Sequence, residues 1–561
     1  MEPKPKTGLY ILLAGIVYLY FQTVLHGLST EIYGPGLEFV LRFSNVDLAE
    51  YVRRYVLTNS YYPPLYFVFL LLVHLPFGMD FLPYVLANAL FAAGGAVFVY
   101  LTLARHTKEW AAGAASAVFL LLPGVCFFTK TLALEQPLVF LIPLCIYLLD
   151  AADGFSRRGR SVLIGLVAGL GMLTKWTFAA YTVCFFAAAL ARAFVREGSG
   201  FRPRAPEPRR MINAALCVGA ALAVAGPWYL GVMDFSKFLA TASNDPNFPE
   251  FALGRQFLFN LGLLSDLTGR WLLILVGAAV LAAIAFSKAR LRAVGMVVAI
   301  LVPLLLLSLP RHLEDRYIYP LCVLIPLLAS ATVAKPRKKA LLIMFWCVLG
   351  AVALGENTRA YVFGRFDPQP LRTNFIYDQE GRLKWGAVKT RDLLNAVADD
   401  GRRRFPNEKA TITSHPLWFN VHCNTLNIRY LLAIEPRFGA LKLDDYSKFR
   451  YLDFGKSLRQ GRFDYIFLGC EAPGVCSDDP EASVQFRPQD LMNRDYLDQR
   501  MGILFEKYGR QDVLDDLAVI RARYEPLAEV RPDEETRIRI YARKDSVDSQ
   551  GPGPVEPTGR P

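Results

Sequence analysis

The sequence predicts a polytopic, all-α membrane domain of about 11 transmembrane helices, followed by a smaller extracytoplasmic α/β domain. Three observations support this fold class. Apolar residues make up 53% of the 561 residues and aromatic residues 13%, which is more than a soluble protein of this length carries. Runs of roughly 17–22 apolar residues fill residues 9–356, whereas the remainder is a mixed polar sequence. The arginines and lysines of the first part lie in short loops between these runs.

Eleven apolar runs are interpreted as membrane crossings. They occupy residues 7–26, 83–104, 111–128, 132–149, 161–174, 176–192, 212–232, 270–287, 293–309, 317–334 and 340–356. The first run follows Lys4 and Lys6 without a small-residue cleavage site, so we expect it to remain as an anchor. The formal net charge of +12 is explained by the loop arginines and lysines, and nucleic-acid binding is therefore not expected.

The basic loops predict the orientation, because arginine and lysine concentrate on the cytoplasmic side of membrane proteins. These loops lie at residues 105–108, 157–160, 192–210, 288–292 and 335–339, and the N-terminus joins them. The same rule excludes a crossing at residues 62–77, since a crossing there would place the Arg105 loop outside. That segment opens with Pro63-Pro64 and spans only about 24 Å against a hydrocarbon core of about 30 Å. We therefore predict a juxtamembrane helix there and an extracytoplasmic C-terminal domain.

This topology divides the chain at residue 356. Residues 1–356 form the membrane domain, with 27–82 as the first outer loop carrying juxtamembrane helices and 234–268 as a turn-rich outer loop. Residues 357–545 form the α/β domain, and residues 546–561, rich in Pro, Gly and Ser, form a disordered tail.

The α/β domain is predicted from short periodic segments. Helix-like patterns occur at residues 385–399 and 497–509, and strand-like runs at 410–414, 464–468 and 536–542. Cys470 and Cys476 flank a five-residue turn and could pair in an oxidising compartment, which their spacing alone leaves open.

One apolar stretch, residues 161–191, is interrupted by Thr174-Lys175-Trp176. Basic loops on both sides require an even number of crossings, so two short helices are expected to meet near Lys175 on the outer side. A lysine at such a turn is costly without a partner, and an ionisable residue within the membrane is a candidate for a functional site. The alternative is a lysine that extends to the outer head groups.

Several other charged groups are predicted on the same outer face. Asp47 and Glu50 lie in the first outer loop, and Arg311, His312 and Arg316 precede the run at 317–334. Cations that bind a phosphate, beside a carboxylate that deprotonates a hydroxyl, suit transfer of a sugar from a lipid phosphate donor. The sequence has no Gly-rich or Asp-x-Asp nucleotide-sugar signature, and no Cys/His cluster has zinc-site spacing.

Taken in order, the motifs resemble those of the GT-C glycosyltransferases, specifically the protein O-mannosyltransferases and the lipid A aminoarabinose transferase, over roughly residues 7–335. The motifs that carry the resemblance are Asp47 with Tyr61-Tyr62-Pro63-Pro64-Leu65-Tyr66, Leu170-Gly171-Met172-Leu173-Thr174-Lys175, Gly226-Pro227-Trp228-Tyr229, and Arg311-His312 with Arg316-Tyr317. The resemblance implies a GT-C-like membrane fold in which Asp47 is the general base. It also implies that Lys175, Arg311, His312 and Arg316 contact the donor phosphate.

The sequence departs from the family pattern at two places. The family often has adjacent Asp and Glu in the first loop, whereas Asp47 and Glu50 are three residues apart on one helical face, so both remain candidates for the base. Tyr61 and Tyr62 stand where the family often has an acidic residue before the prolines, and they are assigned to substrate binding.

The resemblance also assigns Glu135 to substrate binding, since it stands where related enzymes carry an acidic second-loop residue, which in some of them helps to bind a divalent metal. Asp47 and Glu135 are therefore the candidate ligands for Mg²⁺ or Mn²⁺, and no other cofactor is expected. The alternative is that Glu135 is a helix-start carboxylate before Pro137, favoured by the helix dipole.

We therefore expect a multi-pass enzyme of the cytoplasmic (inner) membrane that transfers a hexosyl or pentosyl group from a polyprenyl-phosphate donor. The acceptor is a hydroxyl of a lipid, glycan or protein on the outer face, and the other partners are membrane lipids. One alternative is a polysaccharide or O-antigen ligase using a diphosphate-linked glycan. Another is a lipid transporter or flippase, in which Lys175 and Arg311 bind substrate without an essential carboxylate.

Overall fold

The computed structural model divides the chain into two compact units. The first contains residues 1–373 with 379–382, and the second contains residues 374–378 with 383–561. The structure describes residues 7–27, 43, 47–79, 81–130, 132–192, 207–236, 253–286, 290–310, 315–332, 339–361, 387–414, 432, 436–443, 451–469, 510–530 and 538–544.

The first unit is helical throughout its described part. Its α-helices are α1 (Thr7–Gly27), α2 (Leu48–Tyr51), α3 (Leu65–Phe77), α4 (Phe81–Ala104), α5 (Glu109–Leu121), α6 (Pro123–Lys130), α7 (Leu138–Ala151), α8 (Arg158–Thr174), α9 (Phe178–Ala191), α10 (Pro208–Gly231), α11 (Leu253–Thr268), α12 (Arg270–Phe286), α13 (Arg290–Leu306), α14 (Asp315–Ile318), α15 (Leu324–Thr332) and α16 (Lys339–Tyr361). A π-helical stretch, Val52–Leu57, continues α2, and a 3₁₀ stretch, Tyr319–Val323, joins α14 to α15.

The number of predicted crossings is supported only in part. In the described residues, three helices are long and apolar enough to cross a membrane: Leu82–Ala104, Pro208–Gly231 and Ala340–Thr358. Two bent helix pairs raise the number to five if each pair forms one span. Shorter apolar helical stretches of 10–17 residues are Thr7–Gln22, Leu65–Phe77, Leu138–Ala151, Phe178–Ala191 and Arg316–Thr332. Such helices are shorter than the roughly 20 residues that a straight crossing needs, and the prediction of about 11 crossings counted them as full spans.

The predicted span 111–128 is a bent pair, α5 and α6, whose axes differ by 59°. Leu122 between them is extended, with φ −60° and ψ 133°. Pro123 causes this break, because proline disfavours helical geometry in the residue before it and cannot donate a backbone hydrogen bond.

The last part of the predicted outer loop 234–268 forms helix α11, Leu253–Thr268, which the sequence did not predict. This helix buries Leu263, Leu264 and Leu267 and then turns by 106° into α12. Gly269 makes the turn with φ +88°, a conformation that suits glycine because it has no Cβ. The polar residues of α11 lowered the apolar content of this segment, so periodicity did not reveal the helix.

The segment 62–77, predicted as a juxtamembrane helix, contains helix α3, which starts after Pro64 and ends before Gly78 with φ +62°. Its 13 residues span about 20 Å, less than the hydrocarbon thickness.

The predicted break near Lys175 is confirmed, since α8 ends at Thr174 and α9 begins at Phe178. Helix α8 packs closely against α10 at Gly165. The two backbones approach so closely there that a Cβ on Gly165 would overlap the carbonyl oxygen of Cys217. Small residues at such contacts allow helix backbones in membrane proteins to approach each other.

The second unit contains a five-stranded mixed sheet with strand order β2-β1-β3-β5-β4. Strand β1 pairs in parallel with β2 and β3, whereas β5 pairs antiparallel with β3 and β4. The elements, in chain order, are α17 (Ala387–Arg404), β1 (Ala410–Ser414), a 3₁₀ turn (Pro436–Phe438), β2 (Leu441–Leu443), α18 (Tyr451–Arg459), β3 (Tyr465–Gly469), α19 (Arg510–Arg523), β4 (Tyr524–Val530) and β5 (Ile538–Arg543). Helix α17 packs Leu393, Leu394 and Val397 into the same core as the strands.

The predicted helix at 385–399 and the three predicted strands correspond to α17, β1, β3 and β5. Strand β4 was not predicted because Pro526 interrupts it, and the structure places it at the edge of the sheet, where proline is tolerated. The helix predicted at 497–509 lies outside the described residues, and so do Cys470 and Cys476, whose pairing the sequence left open.

Candidate functional site

A buried ion pair lies where α8 gives way to α9. Lys175 caps the end of α8 in an extended conformation, with its backbone N–H donating to the Gly171 carbonyl at 3.0 Å. Its Nζ donates to Oε1 of Glu135, and both side chains are buried. Since a lysine buried within a membrane domain needs a partner, Glu135 is the group that makes this position tolerable.

Arg316 of α14 adds a second cation. Its Nε lies 3.9 Å from Oε1 of Glu135, and its side chain is 8% exposed. The ring of Tyr317 lies against both cations, with its centroid 4.0 Å from Lys175 Nζ and 5.4 Å from Arg316 Cζ. Glu135, Lys175 and Arg316, which we call the ionic cluster, thus hold two positive charges around one negative charge.

Glu135 is positioned by the turn that precedes α7. Its carbonyl accepts from the Leu138 N–H at 2.9 Å, and the neighbouring Gln136 donates through Nε2 to the Asn88 carbonyl at 3.0 Å. Within the described part of the chain, Oε2 of Glu135 has no hydrogen-bond partner. One carboxylate oxygen is therefore used to hold Lys175, and the other is left for a ligand or water.

Tyrosines surround the ionic cluster. Tyr66, in the helix that follows Pro63-Pro64, is fully buried and lies within electrostatic range of Glu135, Tyr51 and Tyr84. Tyr181 of α9 donates its hydroxyl to the Tyr317 carbonyl, which ties α9 to α14. The resemblance motifs already contained Tyr66 and Tyr317 but gave them no role, and nothing in the sequence singled out Tyr181.

Tyr61 and Tyr62 lie in the turn before α3. Their backbone N–H groups both donate to Oδ1 of Asn59 at 3.0 Å, and their rings meet edge to face with centroids 4.5 Å apart. The Asn59 carbonyl accepts from Trp228 Nε1 at 3.1 Å, which links this turn to the Pro-Trp motif at the end of α10. Asn59 thus connects two of the resemblance motifs through hydrogen bonds.

Asp47 and Glu50 have different local environments. Asp47 is exposed and caps α2, with its Oδ1 accepting from the Glu50 N–H at 2.7 Å. Glu50 forms ion pairs with Arg53, at 2.7 Å, and Arg54. Hydrogen bonds from Arg53 and then Arg54, together with their charges, lower the pKa of Glu50 below its usual value. Across the described residues, no hydrogen bond or ion pair joins Asp47 to the ionic cluster.

The remaining predicted site residues, Arg311 and His312, lie outside the described residues. Among the residues that are described, no group of three or more His, Cys, Asp or Glu side chains could hold a metal ion. Glu135 is paired with Lys175 and lies close to Arg316, and two neighbouring cations oppose binding of a third. This environment does not fit the proposed role of Glu135 as a ligand of Mg²⁺ or Mn²⁺.

Two family models match the first unit. Residues 62–199 match the family described as dolichyl-phosphate-mannose-protein mannosyltransferase, and residues 255–368 match the Alg9-like mannosyltransferase family. Glu135 and Lys175 lie in the first match and Arg316 in the second. No curated protein sequence matches the chain.

Among solved structures, the chain resembles ArnT from Cupriavidus metallidurans in the apo state, with a TM-score of 0.52 and 14% identity over 95% of this chain and 97% of that one. For the same enzyme bound to undecaprenyl phosphate, the TM-score is 0.46 and the sequence identity is 15%, with 96% of this chain and 98% of that chain covered. For an oligosaccharyltransferase from Archaeoglobus fulgidus, the TM-score is 0.40 and the sequence identity is 11%, with 97% of this chain and 74% of that chain covered. At these identities the apo ArnT comparison shows a shared fold.

Proposed function

Because two mannosyltransferase family models and its fold identify this chain as a glycosyltransferase of the GT-C superfamily, we propose that it transfers a sugar from a polyprenyl-phosphate-linked donor to an acceptor hydroxyl. The reaction takes place on the outer face of the cytoplasmic membrane, with the N-terminus inside and the C-terminal unit outside. The acceptor belongs to a lipid, a glycan or a protein.

The ionic cluster is the observation that carries this proposal. Lys175 and Arg316 bring two buried cations together beside Glu135, and both cations can donate hydrogen bonds to an anion at this position. A donor phosphate has the required charge, and arginine and lysine bind phosphate through charge-assisted hydrogen bonds. The cluster lies between short apolar helices, against which a polyprenyl chain can pack. The family matched at residues 62–199 is described by a dolichyl-phosphate donor, which supports the same class of substrate.

The reaction is a displacement at the anomeric carbon of the donor sugar. Asp47 accepts the proton of the acceptor hydroxyl, whose oxygen forms the new glycosidic bond. The bond between the anomeric carbon and the phosphate oxygen breaks, and its electron pair leaves with the polyprenyl phosphate. Lys175 and Arg316 stabilise the negative charge that grows on this leaving group. Glu135 orients Lys175 and takes no proton.

Asp47 is favoured over Glu50 as the base. Glu50 is held by two arginines that lower its pKa, so its carboxylate binds a proton more weakly. One oxygen of Asp47 caps α2, while its other oxygen lies on an exposed side chain that an acceptor can reach.

Transfer in membranes containing the full chain tests this assignment, with a radiolabelled polyprenyl-phosphate mannose as the first donor because both family models describe mannosyltransferases. Asp47→Asn is expected to lower the rate by about 10²–10⁴-fold, the usual contribution of general base catalysis. Glu50→Gln is expected to retain most of the rate.

Asp153→Asn is the matched control, because Asp153 is an exposed carboxylate in another loop with φ +47°, a conformation that asparagine also adopts. An unchanged rate in Asp47→Asn would refute the role of Asp47. Loss of transfer in Glu50→Gln alone would assign the base to Glu50.

A further inference from the structure

A cavity of about 520 Å³ lies between helices of the first unit and away from the ionic cluster. It is enclosed by the end of α4, the end of α7, the second half of α9, and parts of α13 and α15. Its volume is within the range of about 300–1,000 Å³ that is typical of ligand pockets.

The cavity and the ionic cluster lie at opposite ends of the same two helices. Helix α7 begins three residues after Glu135 and reaches the cavity at Asp150, and α9 begins three residues after Lys175 and reaches it at Arg192. Each helix has 14 residues and is therefore about 21 Å long. The cavity thus opens at the membrane face opposite the ionic cluster, which the charge pattern predicts to be the cytoplasmic face.

The wall of the cavity is mostly apolar, while two arginines, Arg192 and Arg292, stand at its edge. In the described part of the chain the side chain of neither arginine forms an ion pair or a hydrogen bond. The carboxylate at this edge, Asp150, is already paired with Arg105 at 2.6 Å and with His106 at 3.0 Å. The charge available to a ligand at the edge is therefore positive.

A buried hydroxyl inside the cavity also lacks a partner. Ser330 of α15 lines the cavity and is 1% exposed, and its Oγ has no hydrogen-bond partner among the described residues. Serines in helices usually donate to the carbonyl four residues earlier, as Ser116 does at 2.9 Å and Ser308 at 2.7 Å. A buried hydroxyl without a partner is costly, so a ligand oxygen at Ser330 would satisfy it.

We propose that this cavity is a binding site for a phosphate-bearing lipid. The lipid chain packs along the apolar wall, the phosphate pairs with Arg192 and Arg292, and Ser330 donates to a lipid oxygen. Arginine suits this role because its planar guanidinium binds phosphate oxygens in pairs. Membrane phospholipids and polyprenyl phosphates share this chemistry, and basic pockets between transmembrane helices bind such head groups.

Lipid binding to the purified full-length protein in detergent tests the proposal without use of transfer activity, so its result is independent of the proposed reaction. The probes are fluorescent phosphatidylglycerol, undecaprenyl phosphate and phosphatidylcholine. Wild type is expected to bind at least one anionic lipid more tightly than phosphatidylcholine. The double variant Arg192→Gln/Arg292→Gln is expected to weaken that binding about tenfold or more, and Ser330→Ala severalfold.

Arg158→Gln is the matched control, because Arg158 begins α8 at the same end of the molecule but does not line the cavity. Arginine-dependent binding of phosphatidylglycerol assigns the site to phospholipid, and arginine-dependent binding of undecaprenyl phosphate assigns it to a polyprenyl lipid. Equal affinity for phosphatidylcholine, or equal losses in the double variant and in Arg158→Gln, would overturn the proposal. Unchanged elution and melting of Ser330→Ala, the mildest substitution, would exclude misfolding as the cause of its loss.

Discussion

Glu135 and Lys175 depend on each other, since each is buried and each supplies the charge that the other needs. Removing the Glu135 charge takes a counter-charge from two buried cations, whereas removing the Lys175 charge leaves Glu135 with Arg316 at 3.9 Å. The pair therefore allows its effect on stability to be separated from its effect on transfer.

Glu135→Gln alone is expected to cost about 3–5 kcal/mol of folding free energy and to abolish transfer. Lys175→Met alone is expected to cost less, because Arg316 still faces Glu135, but also to abolish transfer. The double variant Glu135→Gln/Lys175→Met is expected to recover part of the stability that Glu135→Gln loses, since only Arg316 then remains as a buried cation, but none of the transfer, because Lys175 is still missing as a phosphate ligand. Thermal unfolding in detergent and transfer from the labelled donor measure the two effects.

Glu207→Gln is the control. Glu207 pairs with Arg210 at 3.0 Å in a partly exposed position, where an ion pair contributes less than about 1 kcal/mol to the folding free energy. Recovery of transfer in the double variant would show that the ionic cluster is only structural.

At the scale of residues, the sequence predicted Lys175 and Arg316 as phosphate ligands, and the structure brings them together around Glu135. It did not predict that Glu135 pairs with Lys175, because 40 residues separate the two and neither charge pattern nor motif spacing reports such a contact. The roles of Asp47 and Glu50 remain predictions, although their surroundings now differ in a way that the i, i+3 spacing could not reveal.

The junction of α8 and α9 sets the position of Lys175, and close packing at Gly171 holds that junction. A Cβ at Gly171 would overlap the ring of Phe178, which is 1% exposed at the start of α9. The ring has no free space to move into, so the start of α9 has to shift if a side chain is added.

Gly171→Ala is therefore expected to move Lys175 relative to Glu135 and to lower transfer at least about tenfold, since small misplacements of binding groups have large effects on rate. Combining it with Phe178→Leu, which makes room beside the new methyl group, is expected to restore part of the rate. Gly159→Ala serves as the control because a Cβ there would meet no atom within 4 Å. If Gly171→Ala were as active as Gly159→Ala, the junction would not control the site.

At the scale of elements, apolar runs predicted the positions of most helices, and the charge pattern predicted the break at Lys175. Two kinds of element were missed. Helix α11 carries Gln256 and Asn260, both buried, and Asn260 donates to Ser308 Oγ at 2.9 Å, so polar residues that face the protein interior resembled a loop in the sequence. Strand β4 contains Pro526, which has no backbone N–H to donate to a neighbouring strand. Proline is tolerated there because β4 lies at the edge of the sheet.

At the scale of the whole molecule, the orientation predicted from the basic loops would place Asp47 and Lys175 on the outer side. This predicted orientation depends on the number of crossings between basic loops, which is unchanged when the bent pair formed by α11 and α12 is one span.

Cysteine labelling in intact cells with a membrane-impermeant maleimide checks this orientation. Thr58→Cys, in the exposed segment after the π-helical stretch, is expected to be labelled directly. Gly159→Cys, at the basic start of α8, is expected to be labelled only after permeabilisation. Wild type corrects for the native cysteines, and the reverse pattern would place Asp47 inside and contradict an outer-face reaction.

The pairing of Glu135 with Lys175 also has a consequence for how the protein is made. Glu135 leaves the ribosome 40 residues before Lys175, so its carboxylate has to wait for α8 before it can form the buried ion pair. We expect α7 to complete its insertion only when α8 delivers the lysine, so that α7 and α8 enter the bilayer as one cooperative step. A nascent chain that stops before Lys175 is therefore expected to insert α7 less completely than a chain that contains this lysine.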